Sequence, residues 1–272
     1  MLQGKRLVIS GVANGDSLAA LVAERALSQG AEVVLAAFPR DLEGARDVAR
    51  TWPGTEVVPV DATVPDDLAT LAGHLRSRWG GVDGILHAIA FAPRPALSSV
   101  LGVPAAAVEL AFTTSVWTYA AFAELLAEMA PVSGGSLVGL DFDSARAWPV
   151  YNWMGPCKAA LRSLNTYLAR DLGPAGIRAN LVAAGPLHTR AASGIPDFAA
   201  LTEAWEEQAP MAWDPHDGSS VADAVCFLLS DAGRGITGDV VHVDGGMHAA
   251  ATWRRAGTAH GLPVASDVAA GA

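Results

Sequence analysis

Leu7-Val8-Ile9-Ser10-Gly11-Val12-Ala13-Asn14-Gly15-Asp16-Ser17-Leu18-Ala19 shows in miniature how the whole chain is organised. Its opening is a short apolar run ended by glycine, the pattern of a strand buried on both faces. Gly11 permits a tight turn, and Ser17-Leu18-Ala19 begin a helical pattern. A helix entered this way has its first N–H groups free, aimed past the end of the strand. A pyrophosphate suits that place, with the Ser17 hydroxyl as a donor and Ala13 and Leu18 beside it. The glycines depart from G-x-G-x-x-G, because three residues separate Gly11 from Gly15 and no third glycine follows in step. Two roles therefore fit this turn: a phosphate cradle, or an ordinary strand–helix junction in which Ser17 caps the helix.

The same alternation repeats outward from this segment. Strand patterns fall at 6–10, 31–37, 55–60, 83–90, 135–142, 177–184 and 239–243, and helical patterns at 17–29, 41–51, 66–79, 104–130, 152–172, 197–208 and 219–230. Short strands rich in Val, Ile and Leu, each followed by a helix, predict an α/β fold. It is a single-domain, Rossmann-like, doubly wound and mostly parallel seven-stranded sheet with helices on both faces. Its ligand crevice lies beyond the carboxyl ends of the strands. The domain covers 1–250. Within it, the Gly- and Pro-containing segment 186–210 is expected to form a substrate-binding loop. Residues 251–272, rich in Ala and Gly, are expected to form a flexible tail.

Composition narrows the function. The 272 residues are 51% hydrophobic and only 17% charged, enough for a large core and low in charge against the usual quarter or so. An oligomer that buries part of the surface is consistent with this. The net charge of −10, from 18 basic and 28 acidic residues without a basic cluster, argues against a nucleic-acid partner. Two cysteines, Cys157 and Cys226, do not make a disulfide framework. No leader pattern and no uninterrupted apolar run of membrane-spanning length stands out, so a cytoplasmic protein without membrane insertion is expected. The seven histidines are scattered, and those near the end lack recognisable ligand spacing, so no metal site is expected.

Other strand ends add crevice candidates. Phe38 stands where an acidic residue often holds an adenosine ribose; it can lie against adenine or fill core. Arg40 nearby leaves room for a 2′-phosphate, so charge does not settle NADH against NADPH. Asp61, followed by Ala62, can accept from an adenine amine or cap the next turn. The small Ala88 and Ala90, around Ile89, allow a flat cofactor close to the backbone, or close helix–sheet packing.

The sharpest constellation is Leu140-Asp141-Phe142 at a strand end, then Tyr151-Asn152-Trp153-Met154-Gly155-Pro156-Cys157-Lys158. Tyr151 and Lys158 are almost two helical turns apart, about 10 Å along the axis, and point to one side. Pro156 is tolerable if the regular helix starts near Trp153, with Tyr151 at or just before that start. The commoner Tyr-x-x-x-Lys spacing places the ammonium beside the phenol and favours proton transfer at a ketone. Here the phenol is set back by about 5 Å, one turn, which suits an oxygen further from the reacting carbon. Taken singly, each residue also has a plain role, the tyrosine in packing and the lysine in solvent. Trp148, Trp153, Trp205 and Trp213 either line the crevice or pack.

With these residues in view, the chain resembles the short-chain dehydrogenase/reductase superfamily. More narrowly it resembles the NADH-dependent enoyl-acyl-carrier-protein reductases, and among them the mycobacterial and actinobacterial branch. The resemblance runs from about Gly4 to His248 and rests on Ser10-Gly11-Val12-Ala13, Ser17-Leu18-Ala19, 87–93, 139–143, Tyr151-Asn152-Trp153-Met154, Lys158, 183–189 and Asp244-Gly245-Gly246. It implies that Tyr151 contacts a thioester carbonyl, Lys158 holds nicotinamide-ribose hydroxyls, and Phe142 lies beside nicotinamide and acyl group. Leu187, Thr189 and Ser17 would meet the carboxamide and pyrophosphate, with Gly185, Pro186 and Leu140 also lining the NAD(H) site. Phe91, Ala191, Ile195 and Phe198 would meet the substrate.

The implied reaction is hydride transfer to the β-carbon of a trans-2-enoyl thioester, carried on acyl carrier protein or coenzyme A, in fatty-acid biosynthesis. The implied assembly is a homotetramer. Segment 191–198 resembles the shorter substrate loop of the general bacterial enzymes, which predicts shorter acyl chains than the mycobacterial enzymes take. Gly155-Pro156-Cys157 is unusual beside the pair. The competing expectations are reduction of another conjugated carbonyl in specialised metabolism, and a non-catalytic NAD(H)-binding protein.

Overall fold

The computed structural model describes residues 1–250, so the expected tail at 251–272 lies outside the described residues. Strands β1 (Arg6–Ser10), β2 (Glu32–Ala37), β3 (Glu56–Pro59), β4 (Gly84–His87), β5 (Gly135–Asp141), β6 (Ile177–Ala184) and β7 (Val240–Val243) form one sheet in the order β3-β2-β1-β4-β5-β6-β7. Every neighbouring pair is parallel. The expected doubly wound, seven-stranded α/β fold is the one observed. The chain order reverses between β1 and β4, which opens a crevice beyond their carboxyl ends.

Strand periodicity splits the core into two layers. Leu7, Ile9, Val33, Leu35, Leu86 and Val138 pack with helices α1 (Leu18–Ser28) and α9 (Ser219–Leu229). Val8, Val34, Ile85 and Leu137 pack with α3 (Pro65–Trp79) and α6 (Thr118–Met129) on the other side. Each of these aliphatic side chains is fully or almost fully buried, a contribution of about 1.5–3 kcal/mol apiece against exposure. The remaining helices are α2 (Leu42–Ala49), α4 (Arg94–Ser98), α5 (Ala105–Phe112), α7 (Met154–Leu172) and α8 (Phe198–Gln208).

Three local expectations are corrected. The strand expected over 83–90 ends at His87, where its pairing with β1 and β5 stops. Beyond it the backbone is tied by hydroxyls. Ser10 Oγ accepts from Ala88 N at 3.2 Å, and Ser115 Oγ bonds both Phe91 N and O at 3.0 Å. The helix expected over 104–130 holds a π-helical turn at Thr113–Trp117 between α5 and α6, which places Ser115 against Phe91. Its 105–129 span is long and apolar enough to cross a membrane by length and composition, and its apolar window is 56% buried within the protein. Finally, the helix expected from 152 starts at Met154. The short helix α4 was not foreseen, although Pro95 in its first turn is a start signal.

Candidate functional site

The turn after β1 is built around Gly11. Its φ is +85°, and a Cβ there would sit 2.1 Å from the Ala88 carbonyl oxygen. Only glycine lets the ends of β1 and β4 come this close. Ser17 lies at the entry to α1, but its hydroxyl does not cap the helix. It accepts from Ala13 N at 3.0 Å and Asn14 N at 3.1 Å and donates to Asn14 Oδ1, so it rigidifies the turn itself. Among the described residues the Leu18 and Ala19 N–H groups that open α1 have no hydrogen-bond partner, whereas Ala20 N donates to Ser17 O at 2.9 Å. This helix start borders a cavity of 630 Å³ lined by Ser17 and Leu18 on one side and Leu187, His188, Thr189 and Arg190 on the other. Four sequence-predicted cofactor residues thus meet in one space, whose size and open N–H groups suit a pyrophosphate.

The adenine-side candidates are also placed. Phe38 is 41% exposed, which removes the core-filling role considered for it. The Arg40 guanidinium lies 5.0 Å from the Phe38 ring and 5.5 Å from the Phe91 ring, bridging the loops after β2 and β4. The Asp41 carboxylate forms ion pairs with its neighbour Arg40 at 3.6 Å and with Arg190 of the loop after β6 at 3.5 Å. Asp61 does form the turn cap: its Oδ1 accepts from Thr63 N at 2.9 Å and from Thr63 Oγ1 at 2.6 Å. Ala62 is buried in the α3/α6 layer, and Ala88 and Ile89 pack toward opposite layers, with Ala90 exposed.

Tyr151 is not on a helix. It occupies the turn before α7, between two residues with left-handed backbone, Val150 (φ 60°) and Asn152 (φ 41°). A β-branched valine there is strained, by about 1–3 kcal/mol. The turn is held from outside: Asn152 Nδ2 donates to Leu97 O at 2.6 Å and Trp153 N to Ala96 O at 3.1 Å. Pro156 is the third residue of α7, where a missing N–H breaks no helical bond, and the helix runs on unbroken to Leu172.

Tyr151 is buried with its ring 4.7 Å from the Phe142 ring. No hydrogen bond of its hydroxyl is recorded among the described residues, unlike that of Tyr119, which donates to Asn165 Oδ1 at 2.8 Å. Burial pushes the Tyr151 phenol far above its ordinary value, with the Asp141 carboxylate adding to the rise. It is therefore a neutral hydrogen-bond donor.

Lys158, only 5% exposed, donates from Nζ to Leu140 O at 2.8 Å, which leaves two ammonium protons for a ligand. Burial pushes its ammonium down, and Asp141 opposes that.

The wall behind Phe142 is aromatic. Trp205 lies 5.4 Å and Trp148 6.0 Å from the Phe142 ring, and the two indoles are 4.5 Å apart. Trp213 stands under Gly185, where a Cβ would be 2.7 Å from the indole, and donates to Pro186 O at 2.8 Å. Packing thus accounts for Gly185 and Pro186. In the substrate loop Ala191 is exposed, while Ile195 and Phe198 pack onto the core and the Phe198 ring meets His188 edge-on at 5.5 Å. The 630 Å³ cavity does not extend to Tyr151, Phe142 or Lys158.

Sequence reasoning missed Asp141 and Arg162, which are joined at 2.6 Å, and the stacked pairs His188–His216 and His242–His248. Two of the late histidines, His242 and His248, have carboxylates beside them. His248 Nδ1 is 2.9 Å from Asp244 and His242 Nε2 is 3.8 Å from Asp143. The i, i+4 step from Lys158 to Arg162 was the available signal for the first pair.

The family profile described as enoyl-(acyl carrier protein) reductase matches residues 11–248. The enoyl-[acyl-carrier-protein] reductase [NADH] of Mycolicibacterium smegmatis is 37% identical, covering 90% of this chain and 97% of the relative. The same enzyme of Mycobacterium avium is 38% identical over 90% of this chain and 97% of its own length. That of Aquifex aeolicus is 36% identical over 91% and 93%. These identities are too even to single out one branch. With a glycine-cradled turn at β1, a free buried phenol and a buried lysine at the strand ends, and this coverage, the chain belongs to the enoyl-(acyl carrier protein) reductase family.

Proposed function

We propose that the protein reduces the trans-2 double bond of an enoyl thioester with NADH, in fatty-acid biosynthesis. The observation that carries this is Tyr151, buried against Phe142 with no hydrogen-bond partner for its hydroxyl among the described residues, seven residues before the buried Lys158. The cofactor site fits the dinucleotide: the Gly11 turn and the free N–H groups of α1 suit the pyrophosphate, and Lys158 the nicotinamide ribose. Phe38 with Arg40 suits the adenine end, and the lack of a carboxylate at position 38 leaves NADPH open as a second cofactor.

When bound, the reduced dinucleotide supplies a hydride for the β-carbon. Tyr151 donates a hydrogen bond to the thioester oxygen as negative charge builds on it, which is electrostatic stabilisation of the transition state. Because burial keeps the phenol neutral, this donor is present across the physiological range. Lys158 holds the ribose and adds positive field. Phe142 and the Trp148–Trp205 wall exclude water from the acyl side. The α-carbon takes its proton from solvent.

The enzyme is proposed to be cytoplasmic, to follow the actinobacterial branch in its Phe142/Tyr151/Lys158 set, and to act on acyl carrier protein or coenzyme A thioesters. It is also proposed to work as a homotetramer without inserting in a membrane or binding nucleic acid. The exposed Leu110, Phe112 and Trp117 of the α5–α6 segment and Tyr167 of α7 are suited to subunit packing. The decisive experiment is NADH oxidation over a trans-2-enoyl thioester series, repeated with NADPH. NADH binding without oxidation of any member would overturn the proposal in favour of a non-catalytic binding protein.

A further inference from the structure

Lys158 and Arg162 lie one turn apart on α7 and reach consecutive residues of β5. Lys158 Nζ donates to Leu140 O at 2.8 Å, and Arg162 Nε donates to Asp141 Oδ2 at 2.6 Å. The two rungs fasten the start of α7 to the strand end. The Asp141 side chain has no exposed surface, and its second oxygen, Oδ1, is buried without a hydrogen-bond partner among the described residues. Burying such an oxygen is costly unless charge compensates it. Arg162 is itself braced, with Nη1 3.3 Å from Asp143 Oδ1 and Nη2 3.4 Å from His242 Nε2. Burial pushes the Asp141 carboxyl up, and the Lys158 and Arg162 cations oppose that rise.

We propose that Asp141, oriented by Arg162, is a positioning residue that keeps Lys158 charged and aimed into the crevice. This rests on the assignment of Lys158 to the dinucleotide ribose.

The groups around Lys158 leave Asp141 as its counter-charge. His87 of β4 is held neutral by burial, pushed down to about 3. Tyr119 of α6 and Tyr151 are pushed up and stay neutral, and burial pushes the Cys157 thiol up as well. Arg162 opposes the lysine's charge, and among the carboxylates Asp141 is the one that supports it. Asp143 and His242 act on Arg162. Without the Asp141 carboxylate, the cation that can shed its proton is Lys158, since a guanidinium cannot.

The test is NADH affinity by fluorescence titration between pH 6.5 and 9.5, with no enoyl substrate present. Asp141→Asn is expected to bind NADH nearly as wild type at the acid end. At the alkaline end it should bind about tenfold more weakly, its loss of affinity moved at least one pH unit to the acid side. In Asp141→Asn/Lys158→Arg that displacement should vanish, because arginine stays charged. Arg162→Met removes orientation but leaves the counter-charge, so its affinity should fall evenly across the range.

An Asp141→Asn profile parallel to wild type overturns the proposal, and so does a displacement that survives the double variant. If Asp141→Asn does not fold, Arg162→Met carries the test: an uneven loss, or none, overturns it. Because only binding is read, failure here leaves the enoyl reaction standing, and an enzyme inactive on enoyl thioesters still gives an answer.

Discussion

The Tyr151 ring lies 4.7 Å from the Phe142 ring, tilted by 42°, although one follows a strand and the other precedes a helix. This contact sets the phenol against the aromatic wall, and the strained turn around it keeps Tyr151 off the helix, its hydroxyl without a partner among the described residues. The tyrosine and the lysine are therefore held by separate devices, one by a turn and one by a carbonyl.

Separate devices predict separable losses. Tyr151→Phe should lower kcat/KM for an enoyl thioester by about 10²–10³, the usual loss for one transition-state donor, with NADH affinity unchanged. Lys158→Ala should weaken NADH binding as well as turnover. Stopped-flow reduction beside NADH titration checks both. Since burial lifts the Tyr151 phenol far above its ordinary value, no rise in rate from phenol ionisation is expected between pH 7 and 9.

The Trp148 indole is pinned three ways: it donates to Asp143 O at 2.6 Å, meets the Trp205 ring at a tilt of 44° and abuts Phe142 edge-on. An acyl chain cannot extend past Phe142 on that side unless the indole moves. Wild-type enzyme should therefore prefer shorter chains, as the short 191–198 loop also predicts. Trp148→Ala should raise kcat/KM for the longest thioesters relative to the shortest by about tenfold, since each methylene gained in an apolar pocket is worth roughly 1–3 kcal/mol at most. A profile over octenoyl to eicosenoyl thioesters checks this. An unchanged ratio means that the wall does not select length.

Much of this architecture was legible in one dimension, and the misses share a cause. The strands stood out because burial on both faces writes an apolar run, as in Leu7-Val8-Ile9. Ala88-Ile89-Ala90 wrote the same run and is no strand, because hydroxyls from Ser10 and Ser115 replace neighbouring strands there. The Tyr–Lys pair was visible, but its two-turn helical spacing was not the geometry adopted. Val150 carries no sequence mark of a left-handed backbone, and the carbonyl that holds Asn152, two residues on, belongs to Leu97, far along the chain. The Asp141–Arg162 contact spans a strand end and a helix; the i, i+4 step says only that Lys158 and Arg162 share a face of α7, not which carboxylate they meet.

Gly11 should tolerate no side chain. Gly11→Ala places a Cβ against the Ala88 carbonyl at a φ of +85°, so backbone must move. The left-handed conformation alone costs an alanine about 1–3 kcal/mol, and the clash adds to it. A thermal melt should show a drop of several degrees, roughly 2–4 °C for each kcal/mol in a domain of this size. NADH stabilisation of that melt should be lost, because the turn and the β4 end shift together. A variant that keeps both would show that the cradle is not rigid.

His87 makes stability depend on acid. It is fully buried, its Nε2 is 2.8 Å from Thr118 Oγ1, and the Thr118 hydroxyl donates to Thr114 O at 2.7 Å. Thr118 therefore accepts the Nε2 proton, and Nδ1 is left buried without a partner among the described residues. Burial pushes the imidazole from 6.5 down to about 3. The unfolded chain binds this proton below pH 6.5 and the folded chain does not. The stability involved is thus complete above 6.5 and is lost as pH falls toward 3, at up to about 1.4 kcal/mol per pH unit. His87→Gln keeps a donor for Thr118 but cannot titrate. It should be about 1–2 kcal/mol less stable at pH 7.5, from altered packing and hydrogen bonding. Its stability should then fall less steeply than that of wild type between pH 6.5 and 4.5. Urea midpoints across that range measure the two slopes, and equal slopes would mean that His87 is protonated within the fold.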